Sequence, residues 1–322
     1  MDQKIELIAA GGIDGLRLAD CPPQAPGEGE IRLRHQAAGI NFIDIYHRTG
    51  LYPLPLPAVL GVEGAGVVEA LGPGVTGLQV GDRIAYAGTP GAYAATRLLP
   101  AWRAIALPED IETEAAAAAF LRGMTAHMLL TRCFPVEQGA TLLIHAAAGG
   151  LGTALSRWAK HLGARVIGTV SNEEKAGIAR ENGVDHLILG RNADLAGEVA
   201  RLTEGRGVDF AIDGLGGTML RQTLACVRRF GTVASVGQAA GPIPPIPVEE
   251  IGPLRSLSLM RPSVMAYAAE RETYPRAAEA VINALRQGLL PAPAHRYRLA
   301  EAGQAQADLE AGRTAGSVML QF

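Results

Sequence analysis

The 322-residue chain is poor in cysteine and in charge, and it lacks any long apolar run. Its three cysteines, Cys21, Cys133 and Cys226, are odd in number, widely spaced, and form no CxxC pair. That excludes a disulfide scaffold and suits a reducing compartment. Charged residues make up only 19%, with 29 Lys plus Arg against 32 Asp plus Glu. Like charges never run beyond pairs such as Arg228–Arg229. With no basic stripe, nucleic acid is not expected as the main partner. The apolar stretch Ala115–Leu121 stops at Arg122, far short of the ~20 residues that a membrane span needs. The opening MDQKIELIAAGG has no apolar signal-peptide core. A soluble, cytoplasmic protein is expected.

Hydrophobic residues make up 48%, which with the low charge excludes wholesale disorder. At ~150 residues per domain the length suggests two domains, or one large one. Forty glycines exceed the ~7% usual in globular chains. They show no every-third-residue period, so a collagen helix is excluded. With twenty prolines, they mark many turns or many places of close backbone approach.

The first ~110 residues read as strands and turns. Ile31–His35 alternates apolar and polar, and Val67–Leu71 and Arg83–Tyr86 are further short strands. Pro53, Pro55 and Pro57 make Leu51–Pro57 a stiff, irregular segment. The texture then changes. Thr113 is positioned to cap a helix over Glu114–Leu130. Beyond it, strand-like and helix-like segments alternate. The strands are Thr141–Ala146, Arg165–Val170, His186–Leu189, Val208–Asp213, Thr232–Val236 and Ser256–Met260. The helices are Leu151–Leu162, Lys175–Asn182, Leu195–Leu202 and Met219–Val227. Such alternation implies a doubly wound parallel sheet. A helix over Arg276–Gln287 and a closing strand, Ser317–Gln321, follow.

The strongest local signal is Leu143-Ile144-His145-Ala146-Ala147-Ala148-Gly149-Gly150-Leu151-Gly152. It follows a strand and opens a helix, as a dinucleotide fingerprint must. Ala147 stands in the first glycine place. Gly149 lets backbone approach a pyrophosphate, and Gly152 lets helix and strand pack closely. The helix N-terminus offers N–H groups to the phosphates. An NAD-selective site wants a carboxylate at the tip of the second strand. Here that strand ends Gly168-Thr169-Val170-Ser171, with Lys175 one turn into the next helix and Arg191 after the third strand. A hydroxyl and cations suit a 2′-phosphate, so NADPH is the expected cofactor. The alternative for Lys175 is a solvated helix residue.

Seven motifs together resemble a known family. They are Ala38-Gly39-Ile40-Asn41-Phe42-Ile43-Asp44, Gly50-Leu51-Tyr52-Pro53, Gly61-Val62-Glu63-Gly64-Ala65-Gly66 and Val80-Gly81-Asp82-Arg83. They continue with Phe120-Leu121-Arg122-Gly123-Met124-Thr125, His145–Gly152 and Arg261-Pro262-Ser263. In this order they resemble the zeta-crystallin-like quinone oxidoreductases of the medium-chain dehydrogenase/reductase superfamily. The resemblance implies an α/β fold. A Rossmann doubly wound parallel sheet, residues 125–262, is inserted in a GroES-like, partly closed β-barrel catalytic domain, residues 1–124 and 263–322. It also implies a homodimer joined through the nucleotide domains, with cofactor and substrate in the interdomain cleft.

Zinc-dependent relatives carry a Cys at the place of Asn41 and a Gly-His-Glu at Gly61-Val62-Glu63. An amide and an isopropyl group are poor substitutes for thiolate and imidazole, and the four-cysteine lobe of those relatives is missing. The resemblance therefore implies a zinc-free enzyme, with no metal site at all. It implies transfer of reducing equivalents from NADPH to a quinone, with an activated double bond as the alternative acceptor. A reading of another class is an NADPH- or RNA-binding protein without significant turnover.

By resemblance, Asn41, Tyr46, Tyr52 and Thr125 line the nicotinamide and quinone pocket. The two tyrosines either donate hydrogen bonds to the acceptor or pack under the proline-rich loop. Ala147, Gly149, Gly150 and Leu151 are expected at the pyrophosphate, and Ser171, Lys175 and Arg191 at the 2′-phosphate. Gly214, Val236, Gly237, Arg261 and Pro262 are expected to border the cofactor. Asp44 and Glu63 are expected to hold architecture rather than move protons, and His145 to make a structural hydrogen bond. His127 falls on the expected helix where the family varies, and His35, His47, His161, His186 and His295 show no paired ligand spacing. One departure weakens the NADPH preference: Gly190 stands where bacterial relatives carry a tyrosine.

Overall fold

In the computed structural model, which describes residues 2–322, the chain opens with the antiparallel strands β1 (Gln3–Leu7) and β2 (Leu16–Asp20). Next comes the longest strand, β3 (Glu30–Ile40). Ile31, Leu33 and His35 are buried and Arg34 is exposed, so the alternation read from sequence holds up to His35. Residues 37–40 are then buried on both faces, as a strand covered on both sides requires.

Helix α1 (Phe42–Thr49) follows directly. It overturns the strand-and-turn reading of this segment. Its N-cap is Asn41, whose backbone N–H is accepted by Asp44 Oδ2 at 2.8 Å, and it ends at the left-handed Gly50. The strands β4 (Ala58–Val59), β5 (Glu63–Leu71), β6 (Arg83–Ala87), β7 (Thr96–Pro100) and β8 (Ile105–Ala106) come next.

The expected helix Glu114–Leu130 is in fact two α-helices, α2 (Thr113–Ala117) and α3 (Phe120–His127), and a π-helical turn, Met128–Cys133. The N-cap is Glu112, not Thr113. At the break the Leu121 N–H, in the first turn of α3 where helix N–H groups lack intrahelical acceptors, donates to the buried carboxylate of Glu63 on β5 at 2.6 Å.

Strand–helix alternation then matches the expectation closely. The elements are β9 (Thr141–Ile144), α4 (Gly150–His161), β10 (Arg165–Val170), α5 (Glu173–Glu181), β11 (His186–Leu189), α6 (Leu195–Leu202), β12 (Val208–Asp213), α7 (Met219–Cys226), β13 (Val227–Ser235) and β14 (Ser258–Met260). β13 starts five residues before the expected Thr232. The six strands form one parallel sheet in the order β11-β10-β9-β12-β13-β14. Leu143, Ile167, Ile188, Ala211 and Val233 fill its core. The strand order reverses between β9 and β12, the switch point where such sheets bind ligands.

The chain returns through α8 (Val264–Ala269), α9 (Tyr274–Arg286), β15 (His295–Arg298), α10 (Ala302–Glu310) and β16 (Val318–Gln321). β3 has three antiparallel partners: β5 along much of its length, β7 at Glu30–Arg34 and β16 at Ala37–Ile40. Irregularities near Leu33 and Ala37 bend it toward barrel closure. The chain thus divides into two compact units: residues up to Met124 with Val264–Phe322, the barrel, and Thr125–Ser263, the sheet. Among the described residues no helix is long and apolar enough to cross a membrane.

Candidate functional site

Because all six strands of the sheet unit are parallel, their carboxyl ends share one edge. The residues expected at the cofactor follow those ends one strand at a time. Ala147, Gly149, Gly150 and Leu151 follow β9; Ser171 follows β10; Arg191 follows β11; Gly214 follows β12; Val236 and Gly237 follow β13; Arg261 and Pro262 follow β14. Val170 pairs with Leu189, so Ser171 and the turn at Gly190–Arg191 emerge from adjacent strands at the same level. Lys175 lies in the first turn of α5, where its N–H is capped by Asn172 Oδ1 at 2.9 Å. Arg261 Nη1 donates to Ser235 Oγ at 2.9 Å. Thr125 lies on α3, at the start of this unit.

The glycine loop has the shape its sequence requires. A side chain on Gly152 would collide with the Ala146 carbonyl oxygen and, at 2.7 Å, with Ala147 Cα. A Cβ on Gly149 would meet only the Ala146 oxygen, at 3.2 Å, so that face is open. The first N–H groups of α4 have no intrahelical acceptor. The open face and the helix start have the shape and the donors that a dinucleotide pyrophosphate requires, so the residues fit that group. Ala147 is tolerated in the first glycine place for a reason on the neighbouring strand. A Cβ on Gly168 of β10 would stand 2.7 Å from Ala147 Cβ. The missing side chain has moved from the loop to β10. Nothing in the local motif reveals that pairing.

The switch point is crossed by hydrogen-bonded side chains. His145 Nδ1 lies 3.1 Å from Thr169 Oγ1, and His145 Nε2 lies 2.8 Å from Thr223 Oγ1. Thr223 donates to Asp213 Oδ2 at 2.8 Å, and Asp213 Oδ1 accepts from the N–H groups of Leu215 and Gly216 at 2.8 and 2.9 Å. Burial holds the His145 ring below the ordinary imidazole range, with Asp213 opposing. Thr169, Thr223 and Asp213 carry no sequence signal. They meet because β9, β10 and β12 are adjacent and α7, which carries Thr223, packs against β12.

Gly190 has φ +99°, and a Cβ there would have open space around it. The backbone, not crowding, favours glycine: a tyrosine would have to adopt a left-handed conformation.

In the barrel unit, Asn41, Tyr46 and Tyr52 come together around α1. The Tyr46 and Tyr52 rings stand 5.3 Å apart at 74°, and Phe42 lies 6.3 Å from Tyr46. Tyr46 is buried while Tyr52 is partly open. The Tyr52 N–H donates to the Tyr46 carbonyl at 3.0 Å, which ties the loop to the helix. Asn41 Nδ2 donates to Glu63 Oε1 at 2.7 Å. Val62 is fully buried.

Behind Asn41 lie two buried carboxylates. Burial raises Glu63, and the Arg122 guanidinium draws it back. Asp44 accepts from the Asn41 N–H and from the Tyr93 hydroxyl at 2.9 Å. Burial, reinforced by the Glu63 charge, pushes it up to about 7. Gly39 makes room for Glu63, since a side chain there would collide with the Glu63 carboxyl. Among the described residues no three His, Cys, Asp or Glu side chains converge on a possible metal position.

The chain matches two family models, the alcohol dehydrogenase GroES-like domain over residues 27–109 and the zinc-binding dehydrogenase over residues 150–283. The second stretch contains neither Asn41 nor Val62. A quinone oxidoreductase of Pseudomonas aeruginosa is 40% identical, with 99% of each chain covered. A 2-haloacrylate reductase of a Burkholderia species is 41% identical, with 96% of each covered. The crystal structure of Escherichia coli quinone oxidoreductase complexed with NADPH superposes with a TM-score of 0.96 at 36% identity, covering 99% of this chain and all of that one.

Proposed function

Since the chain belongs to the quinone oxidoreductases of the medium-chain dehydrogenase/reductase superfamily, and is an oxidoreductase, we propose that it reduces quinones with NADPH and without zinc. The observation that carries this reading is Asn41 Nδ2 donating to Glu63 Oε1 at the place where a zinc ligand would stand. An amide spent on a carboxylate, beside a buried isopropyl group, offers no metal coordination. An acceptor that takes reducing equivalents without a Lewis acid suits such a site.

NADPH, when bound, supplies the hydride. The chain's own residues do the rest. Gly149, Gly150 and Leu151 offer backbone N–H groups to the pyrophosphate. Ser171, Lys175 and Arg191 are assigned to the 2′-phosphate, and Gly214, Val236, Gly237, Arg261 and Pro262 to the cofactor's border. Asn41 and Thr125 are assigned to the nicotinamide end. Tyr46 and Tyr52 orient a flat acceptor, and their hydroxyls donate to its oxygen as negative charge develops.

We also assign the protein to the cytoplasm and to a homodimer formed through the sheet unit. β14 is an edge strand, and Phe230, Val248 and Leu254 are 76%, 72% and 83% exposed in the same unit. Exposed large apolar side chains around an unpaired edge are a surface suited to a second copy.

Mixing purified protein, NADPH and a panel of small quinones should deplete the absorbance of the reduced nicotinamide. No turnover over a broad panel would sink the proposal. The haloacrylate reductase at 41% identity favours activated double bonds as the second reading, and relative rates on enones and quinones decide between them. Lys175→Ala should weaken NADPH binding roughly tenfold more than NADH binding. Equal losses would remove the phosphate assignment.

A further inference from the structure

With Asp213 as the carboxylate that accepts two backbone N–H groups on Oδ1, the side chains crossing the switch point have one consistent arrangement of protons. Thr223 Oγ1 has a single hydrogen. Its two acceptors, Asp213 Oδ2 at 2.8 Å and the Met219 carbonyl at 3.0 Å, cannot donate in return. His145 Nε2, 2.8 Å from the same hydroxyl, must therefore carry a proton and donate it. A neutral ring then has a bare Nδ1, which accepts from Thr169 Oγ1 at 3.1 Å. Thr169 in turn accepts from the Ala146 N–H at 3.3 Å. The hydrogen bonds run head to tail, from the Ala146 backbone to the Asp213 carboxylate. They terminate on the N–H groups of Leu215 and Gly216.

Both ends of this chain are loops that follow neighbouring strands. At one end Ala146 sits at φ +50°, a conformation that a non-glycine residue adopts only at a cost. Its carbonyl accepts from the Gly149 N–H at 2.8 Å and fills the space against Gly152. A shift of Ala146 would move the start of α4. At the other end Asp213 holds the turn that leads into Gly216 and Gly217, at φ +65° and +53°.

We infer that His145, Thr223 and Asp213 are positioning residues. A fixed Nε2–H tautomer of His145 clamps the phosphate loop after β9 to the glycine turn after β12, so that both present their backbone to a dinucleotide. This rests on the reading that the loop holds NADPH. The clamp acts on the shared pyrophosphate end of NADPH and NADH, so it does not discriminate between them.

Nitrogen-15 NMR of histidine-labelled protein, without cofactor, tests the proton order. The expected His145 signal shows a protonated Nε2 and a bare Nδ1; the opposite tautomer or a doubly protonated ring overturns the inference. Fluorescence titration with NADPH and with NADH tests the clamp. Thr223→Val should weaken both by about tenfold, with kcat at saturating NADPH within about twofold, whereas Thr223→Ser, which keeps the hydroxyl, should restore wild-type affinity. Where Thr223→Val is too unstable to purify, His145→Gln serves. It keeps a donor toward Thr223 and removes the ring nitrogen that accepts from Thr169, and should also weaken both cofactors together. Unchanged affinity in a folded variant overturns the clamp. Failure of the wild-type protein to bind either nucleotide would instead sink the NADPH reading, and the NMR signal would still judge the proton order.

Discussion

In the sheet unit, His145, Thr223 and Asp213 pass hydrogen bonds from one to the next until the last acceptor meets two backbone N–H groups. In the barrel unit, Asp44 and Glu63 lie fully buried behind Asn41. Arg122 beside them keeps one guanidinium nitrogen, Nη2, without a partner. The first arrangement alternates donor and acceptor, so each polar atom is satisfied within a few ångströms. The second packs acceptors and charges together, and the carboxylates respond by rising in pKa. The first joins two loops at the sheet edge by hydrogen bonds that converge on one carboxylate, and the second backs Asn41 with charges that depend on each other and on pH.

The largest effect expected from breaking this contrast is Glu63→Ala. It removes one of the two buried carboxylates whose charge acts on the buried Arg122 and takes away the acceptor of the Leu121 N–H and of the Asn41 amide. A loss of ~3–5 kcal/mol is expected, read as a fall in urea midpoint. A loss no larger than that of a surface substitution would show that Glu63 and Arg122 do not stabilise one another.

The second effect is a pH slope. Asp44 is raised to about 7 in the folded chain, from an ordinary 3.8. Between those values the unfolded carboxyl ionises first, so stability from this group is full in acid and is lost as pH rises toward 7. The slope is about 1.4 kcal/mol per pH unit near pH 5 and half that at pH 7, or about 2 kcal/mol between pH 5 and pH 7. Asp44→Asn should remove that part of the decline. Parallel melting curves for both proteins across the range would show that Asp44 is not held protonated.

The smallest effect sharpens the sheet side, where fit is steric as well as polar. Gly168→Ala would place its Cβ 2.7 Å from Ala147 Cβ and 2.9 Å from Val184 Cγ1. A cost of ~1–2 kcal/mol is expected. Adding Ala147→Gly should recover part of it, because the glycine then returns to the loop. Strict additivity in the double-mutant cycle would show that the two positions are independent.

The sheet unit was largely legible because each of its elements announces itself locally. Arg165–Val170, His186–Leu189, Leu195–Leu202 and Val208–Asp213 are found where their patterns place them. The barrel unit was less so. Helix α1 was hidden among strand-like segments, although the Asn41 and Asp44 spacing of an N-cap and the glycine at position 50 were present. The break between α2 and α3 has no sequence mark, and the carboxylate that accepts the Leu121 N–H there lies on β5. Glycine at 190 looked like a lost contact. Its φ of +99° makes it part of a turn that a tyrosine would strain.

The parallel α/β alternation and the glycine loop with its helix are already written in the order of residues along the chain. These follow from periodicity, small residues and side-chain chemistry, which act within a few neighbours along the chain. Folding brings Gly168 up to Ala147, the Glu63 carboxylate to the Leu121 N–H, and His145 to Thr169 and to Thr223, which meets Asp213. Those contacts depend on which strands lie side by side and in what register, and strand pairing brings together residues that no local pattern connects.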